Sequence, residues 1–305
     1  MGRAISTCGV WTMNELQDYI EAGKIAKEVA ERSKSLIKVG NSLLEVAETI
    51  EKWIKEKAGI AFPVNLSINE NASHYTPSID EKTVFGENDV VNVDIGTHVN
   101  GRIGDIAYTI DLSGEQGKLV EASEKALENA ISLVKAGRTT KEIGEEIEKT
   151  IISYGFKPIR NLSGHGLRDY EVHAEPSIPN TKVDYEEELE EGQIIAIEPF
   201  ASTGEGYVRE DRRTEIFSFN QEVLTRNMNA RGILAFIQNE YKTLPFAERW
   251  LARSYDPFKL KVALKELLVR DALNQYPILK DVAGSLVSQA EVTLLVEKEG
   301  CKILS

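Results

Sequence analysis

The sequence predicts an α/β fold of α+β character built twice, as two similar halves related by an approximate two-fold axis, with a mainly helical insertion late in the chain. Three observations predict it. Segment 35–52 matches segment 132–149 without a gap at 9 of 18 positions: Ser35/Ser132, Leu36/Leu133, Lys38/Lys135, Gly40/Gly137, Glu45/Glu142, Glu48/Glu145, Ile50/Ile147, Glu51/Glu148 and Lys52/Lys149. The run Val90-Val91-Asn92-Val93-Asp94 has a counterpart in Ile194-Ile195-Ala196-Ile197-Glu198, each an apolar strand ending in a carboxylate. Beyond Phe200 the rhythm changes to helical stretches interrupted by Pro245, Pro257 and Pro277. Two such halves leave a shared cleft, with ligands drawn from both.

Taken in order, a helix is expected from Leu16 to Val39 and a second from Leu43 to Lys57. Ser42 and Glu45 have capping-box spacing at the start of the second, which satisfies two otherwise orphan backbone donors. A Pro/Asn-rich stretch precedes a hairpin. Its first strand, Asp89 to Thr97, leads to Asn100-Gly101, a turn pair that tolerates positive φ, and its return strand runs from Arg102 to Leu112. A third helix spans Glu115 to Ala136 and a fourth Thr140 to Tyr154, where Thr139 and Glu142 repeat the cap. Helices are expected at Glu222–Gln238 and Phe258–Leu273, and an alternating strand at Gln289–Val296. Residues 13–305 thus read as one unit with an insertion near 205–275, and residues 1–12 as an extension ahead of a second plausible start at Met13.

Composition narrows the class. A chain of 305 residues, 42% hydrophobic and 28% charged, can bury one sizeable core and carry a smaller appendage. No apolar run approaches the roughly 18 residues that a membrane helix needs. With 49 acidic against 36 basic residues, the net charge of -13 argues against a broad phosphate-binding surface, hence no membrane and no specific nucleic-acid partner is expected. The acidic run Asp184–Glu191 reads as a solvated loop. Cys8 and Cys301 form neither a disulfide framework nor a zinc-knuckle spacing, so a reducing, cytoplasmic setting is expected.

The hairpin carries chemistry. A two-residue turn at Asn100-Gly101 places Asp94 opposite Ala107 and puts Asp105 on a diagonal of the same face. Two carboxylates so placed repel unless a proton or cation lies between them. Asp94 also follows an apolar run, where an unpaired carboxylate is costly. Glu198 ends a still more apolar strand, and Glu291 alternates with Val292, Leu294 and Val296. His165 lies in Ser163-Gly164-His165-Gly166, where glycines let the backbone approach a ligand. His173 follows, and His74 lies in Asn71-Ala72-Ser73-His74-Tyr75. Singly, each of these acids reads also as a surface group and each histidine as a hydrogen-bonded structural residue; His98, beside the turn, has the least claim to a role. Together, four carboxylates and one imidazole suit two divalent cations such as Mn, Fe or Co better than a thiolate zinc site. Two metals polarise a substrate oxygen and activate water. Zincin, nucleophile-elbow and P-loop motifs are all absent from the sequence.

At these residues the chain resembles the methionine aminopeptidases, and more narrowly their archaeal type 2 form, over most of residues 13–305. The resemblance rests on Asn71-Ala72-Ser73-His74-Tyr75-Thr76-Pro77, Val93-Asp94-Ile95-Gly96-Thr97-His98, Gly101-Arg102-Ile103-Gly104-Asp105, Gly164-His165-Gly166, His173, Ile197-Glu198-Pro199 and Gln289-Ala290-Glu291. It implies the duplicated pita-bread fold and release of N-terminal methionine, preferentially ahead of a small second residue. It further implies that Asp94 chelates one metal, that Asp105 and Glu291 bridge two, and that His165 and Glu198 complete the other shell. Co, Mn or Fe is expected there, with Zn or Ni also tolerated. Glu198 would also shuttle a proton, His74 would contact the scissile amide or the leaving amine, and His173 would stabilise the oxyanion. Phe62, Tyr276 and Ile216 would surround the methionine side chain, where aromatic faces suit a flexible thioether.

The long Glu198–Glu291 separation is what points to type 2. The expected partners are Met-Xaa peptides and nascent chains, with transient ribosome contact, and the expected state is a monomer. An Xaa-Pro aminopeptidase or prolidase is the nearest alternative, although such relatives place a substantial domain ahead of the first ligand. A non-catalytic pita-bread binding protein is the other, although such relatives lose metal ligands.

Overall fold

The computed structural model describes residues 11–305; Cys8 and most of the expected extension lie outside them. Of residues 1–12 only Trp11 and Thr12 are described, and both belong to the body of the fold. Thr12 caps α1 (Met13–Ser33) in a full capping box with Glu15. Trp11 sets its ring edge-on to Tyr19, 5.1 Å between centroids, and its indole N–H donates to Gly192 O.

The first half continues with α2 (Leu43–Lys55), β1 (Gly59–Ile68), β2 (Asn71–Ser73) and the hairpin β3 (Val90–Val99) and β4 (Arg102–Asp111). The second half comprises α3 (Gly117–Leu133), α4 (Thr140–Ser153), β5 (Lys157–Pro158), β6 (Ser163–Arg168), β7 (Glu171–Pro179), β8 (Ile194–Ile197) and β9 (Phe200–Ser202). Next come β10 (Arg209–Phe219), α5 (Met228–Glu240), β11 (Phe246–Ala247), α6 (Glu248–Ala252), α7 (Pro257–Val269) and β12 (Leu273–Lys280). The chain closes with β13 (Val287–Gln289), β14 (Glu291–Glu297) and β15 (Gly300–Ile303).

One large sheet joins the halves in the order β1-β3-β4-β14-β8-β6-β7, with β15 beside β14. The duplication is visible in its local bonds. Ser42 and Thr139 cap α2 and α4 at equivalent positions, although only Thr139 completes the reciprocal box with its glutamate. Ahead of each cap a glycine takes positive φ, 84° at Gly40 and 78° at Gly137, and donates to a later backbone oxygen, Phe85 O or Leu189 O. Short bridges Ser42–Val84 and Thr139–Glu188 then hold each cap to a segment just ahead of β3 or β8. Ile50 and Ile54 of α2 pack against Val91, Val93 and Ile95 of β3. Ile143 and Ile147 of α4 do the same against Ile195 and Ile197 of β8, with Leu294 and Val296 of β14. Side chains alternate along a strand, so residues 92, 94 and 96 face away from those helices.

Several helix ends differ from the sequence expectation. The first helix stops at Ser33 and passes through a 3₁₀ turn, because the chain must reach the left-handed Gly40. The helix expected from Glu222 begins at Met228, where the side chain of Asn227 accepts from Asn229 N and Ala230 N and fixes the start. Leu273 belongs to β12, since α7 ends at Val269 and Asp271 turns left-handed at φ 59°. The helices after Phe200 are also framed by strands: β11, β10, β12 and β2 form a second sheet, whose Phe217 and Phe246 share a core with Ile233, Leu251 and Leu264. The acidic stretch from Asp184 is largely exposed, with Lys141 pairing Glu186 at 2.9 Å.

Helix α1 crosses the sheet where no side chain intervenes. A Cβ on Gly104 would lie 2.5 Å from Gly23 N. Gly104→Ala is therefore expected to destabilise the protein by about 1–3 kcal/mol, read as a lowered melting temperature. Gly117→Ala, with nothing within 4 Å, should leave that temperature unchanged or raise it.

Candidate active site

Strand register assembles the polar cluster. Asp94 pairs with Ala107, and Ala107 pairs in turn with Glu291 across the β4–β14 junction. Directly paired residues point to one face, so the small Ala107 separates two carboxylates with open space above it. Asp105, two residues from Ala107, joins that face, as the turn geometry had required. From the other side, β14 pairs Val292 with Ile197, which brings Glu198 to the end of the neighbouring strand, and His165 pairs with Ala196.

The resulting atoms are close. Ligand atoms of Asp105, His165 and Glu291 all lie within 4.8 Å of one another, and all three residues are buried. His165 Nε2 is 3.8 Å from Glu198 Oε1 and 4.0 Å from Asp105 Oδ2. The other ring nitrogen, Nδ1, lies 3.2 Å from Gly166 O. A carbonyl only accepts, so Nδ1 carries the proton and Nε2 keeps its lone pair toward the carboxylates. Gln289, fully buried, donates through Nε2 to Glu198 Oε2 at 3.3 Å and to Glu291 Oε2 at 3.2 Å. Asp105 is anchored through its backbone: its N–H donates to Thr293 Oγ1 at 2.8 Å, and Ser305 Oγ donates to its carbonyl at 2.7 Å.

This arrangement resists ionisation. Burial pushes the carboxyls of Asp94, Asp105, Glu198 and Glu291 above the ordinary range, Asp94 to about 7, and for the other three a neighbouring carboxylate adds to the rise. Burial also lowers His165 to about 3, with His173 adding to the effect. Asp94 Oδ1 and Asp105 Oδ1 are buried without a hydrogen-bond partner. Orphaned carboxylate oxygens, several acids and one neutral imidazole together form a donor set that fits divalent cations.

The cluster lines a pocket of about 180 Å³. Phe62, His74, Asp94, Asp105, His165, His173, Glu198, Ile216, Tyr276 and Glu291 all line it, which is the whole set singled out in the sequence. The Phe62 ring lies over Gly96, where a Cβ would approach it to 2.3 Å. Tyr276 stands between two histidines, its ring centroid 5.7 Å from His74 and 5.9 Å from His173. It pairs with Ile216 across β10 and β12. His98 stays outside the pocket at the hairpin tip, beside Tyr170 at 5.5 Å.

Asn65, Asn161, Leu162, Pro245 and Leu279 also line the pocket and escaped sequence reasoning. Asn161 pairs with the backbone of Val208 in both directions, and Pro245 arrives from the insertion. Neither placement has a local sequence signal.

Raised carboxyl pKa values have a defined effect on stability. Carboxyls ionise near 4 in an unfolded chain, so the folded, metal-free protein holds extra protons above that pH and loses the associated stability as pH rises through about 7. Below about 6.5 the depressed histidines act in the opposite sense, since the unfolded chain protonates them first. The unobstructed window is therefore above neutrality. Metal-free protein should melt at a lower temperature at pH 9 than at pH 7, and saturating divalent cation should remove most of that fall. A flat or rising profile without metal would contradict the clustered acids.

Comparison with known proteins agrees with this geometry. Residues 17–226 match metallopeptidase family M24. The methionine aminopeptidase of Pyrococcus horikoshii is 46% identical over 291 residues, covering 95% of this chain and 99% of that protein. Among solved structures, a thermophilic Arx1 superposes with a TM-score of 0.86 at 19% identity, over 96% of this chain and 91% of that one. Methionine aminopeptidase from Thermotoga maritima superposes at 0.71 with 24% identity, over 97% and 98%. The two superpositions speak for the pita-bread fold, and the identity to the Pyrococcus protein for the family. The chain belongs to metallopeptidase family M24 and, within it, to the methionine aminopeptidases.

Proposed function

We propose that the pocket is the active site of a type 2 methionyl aminopeptidase, holding two divalent cations, and that the convergence of Asp105, His165 and Glu291 within 4.8 Å carries the reading. Asp94 would chelate one cation, Asp105 and Glu291 would bridge, and His165 with Glu198 would be the remaining ligands of the other cation. Co, Mn or Fe suits these oxygen and nitrogen donors, and Zn or Ni is tolerated. When bound, the cations supply Lewis acidity and make water nucleophilic near neutral pH.

The remaining chemistry belongs to the side chains. Phe62, Ile216 and Tyr276 offer an apolar wall to the methionine side chain. Burial holds His74 at about 4, so it is neutral at neutral pH. Its Nδ1 lies 3.2 Å from Pro277 O, which again places the proton on Nδ1 and leaves Nε2 an acceptor. That nitrogen suits the N–H of the scissile amide. His173 faces the pocket from β7 and would donate to the substrate carbonyl oxygen as negative charge develops there. Glu198, partly buried at the end of β8, would receive a proton and pass it to the leaving amine.

The type 2 assignment is supported by the β10–β12 module between Glu198 and Glu291 and by the archaeal relatives. Residues 13–305 would form one catalytic unit with residues 205–275 as its inserted module. Among the described residues no helix is long and apolar enough to cross a membrane. The reading gives a monomer acting in the cytoplasm on Met-Xaa peptides and nascent chains, in transient contact with ribosomes.

Metal-loaded protein should release methionine from Met-Ala-Ser, more slowly as the second residue grows, and leave Xaa-Pro peptides uncut. Preferential cleavage of Xaa-Pro would overturn the assignment. Asp105→Ala and Glu291→Ala should each abolish turnover together with full metal uptake, measured by elemental analysis. His74→Ala should lower kcat by roughly 100-fold while the metals stay bound.

A further inference from the structure

His74 occupies an unusual backbone position. Its φ is 63°, in the left-handed region that a residue with a Cβ rarely adopts. Such a conformation persists only where the surroundings over-determine it. The neighbouring residues show what does so. Ser73 pairs with Leu279 of β12, and the His74 ring bonds to Pro277 O on the same strand. On the far side, Arg249 of α6 reaches in from the insertion. Its Nη1 donates to Thr76 Oγ1 at 2.6 Å and to Pro77 O at 3.1 Å, and its Nη2 donates to Glu51 of α2.

Glu51 is itself held in place. Trp250 Nε1 donates to its Oε2 at 2.9 Å and Val64 N to its Oε1 at 3.3 Å, while Thr76 Oγ1 donates to Val64 O at 2.8 Å. Arg249 is 1% exposed and Glu51 5%. Burial at this depth opposes both charges, pushing Glu51 up and Arg249 down. A buried ion pair is seldom more stabilising than apolar side chains of equal volume, so stability alone does not account for it. What a guanidinium supplies is a rigid fork addressed to two acceptors at once, two and three residues beyond His74.

We infer that Arg249, with Glu51 as its counter-ion, is a positioning residue for His74: the inserted module fixes the Thr76–Pro77 corner and thereby the aim of the His74 ring. This rests on the reading of His74 as the residue that meets the scissile amide. A displacement of about 1 Å in such a group costs on the order of 100-fold in rate. The same network makes the insertion necessary to the chemistry although Arg249 does not line the pocket.

The experiment is a double-mutant cycle on the metal-loaded enzyme with Met-Ala-Ser. Thr76→Val removes one acceptor while keeping shape, and the pair Glu51→Leu with Arg249→Met removes both buried charges together and spares the fold an unpaired ion. Each is expected to lower kcat by roughly 30-fold, with KM changed less than about threefold and metal content unchanged. In a His74→Ala background the same replacements should lower kcat by less than about twofold. Equal losses in both backgrounds would show a merely structural role and overturn the inference.

A second readout is independent of turnover. The nuclear Overhauser contact between the His74 and Tyr276 rings should be present in the wild type and absent from the Glu51→Leu/Arg249→Met protein; its persistence would also overturn the inference. If His74→Ala turns over like the wild type, the catalytic role of His74 fails instead, and the ring contact alone decides the positioning role.

Discussion

Four carboxylates that share one cavity repel one another, and the architecture of this chain is organised around holding them there. No single element bears more than one of them. β3 supplies Asp94, β4 Asp105, the end of β8 Glu198 and the start of β14 Glu291. The backbone at Asp105 is bonded to Thr293 and Ser305, and Gln289 holds the side chains of Glu198 and Glu291. The small Ala107 between Asp94 and Glu291 keeps the resulting space open. Stability withheld at this point is available to whatever positive charge enters it.

Much of this was legible in the sequence, for identifiable reasons. Asn100-Gly101 admits one hairpin register, and that register alone put Asp94 and Asp105 on one face. The gapless repeat predicted two equivalent caps, found at Ser42 and Thr139. The periodicity of the insertion was harder to read. In β10 the charged run Arg209 to Arg213 masks a strand whose outer end is solvated, and Asn227 shortens a helix that composition alone would extend. Asn161, Pro245 and Leu279 reach the pocket only through contacts between segments far apart in the chain. The Arg249–Glu51 pair was equally hidden, since a charge on a short amphipathic helix ordinarily faces water.

The insertion is more than an appendage on the duplicated core. Its first and last strands bring Ile216 and Tyr276 into register opposite each other, and Pro277 O sets the tautomer of the His74 ring. The large sheet thus carries the acids and Phe62, and the second sheet carries Ile216, Tyr276 and the orientation of the His74 ring. The two layers meet at β2, whose neighbour in sequence is His74.

The junction between the halves has a consequence of its own. β4 and β14 share only two backbone pairs, Ala107 with Glu291 and Ile106 with Val292. Asp94 and Asp105 stand on one bank of that seam, and His165, Glu198 and Glu291 on the other. An ion held from both banks would be a removable cross-link, and its binding energy would add to the cohesion of the halves. Metal supply would then govern how far the two halves unfold as one body, so that a single ion-exchange equilibrium sets both reactivity and mechanical unity.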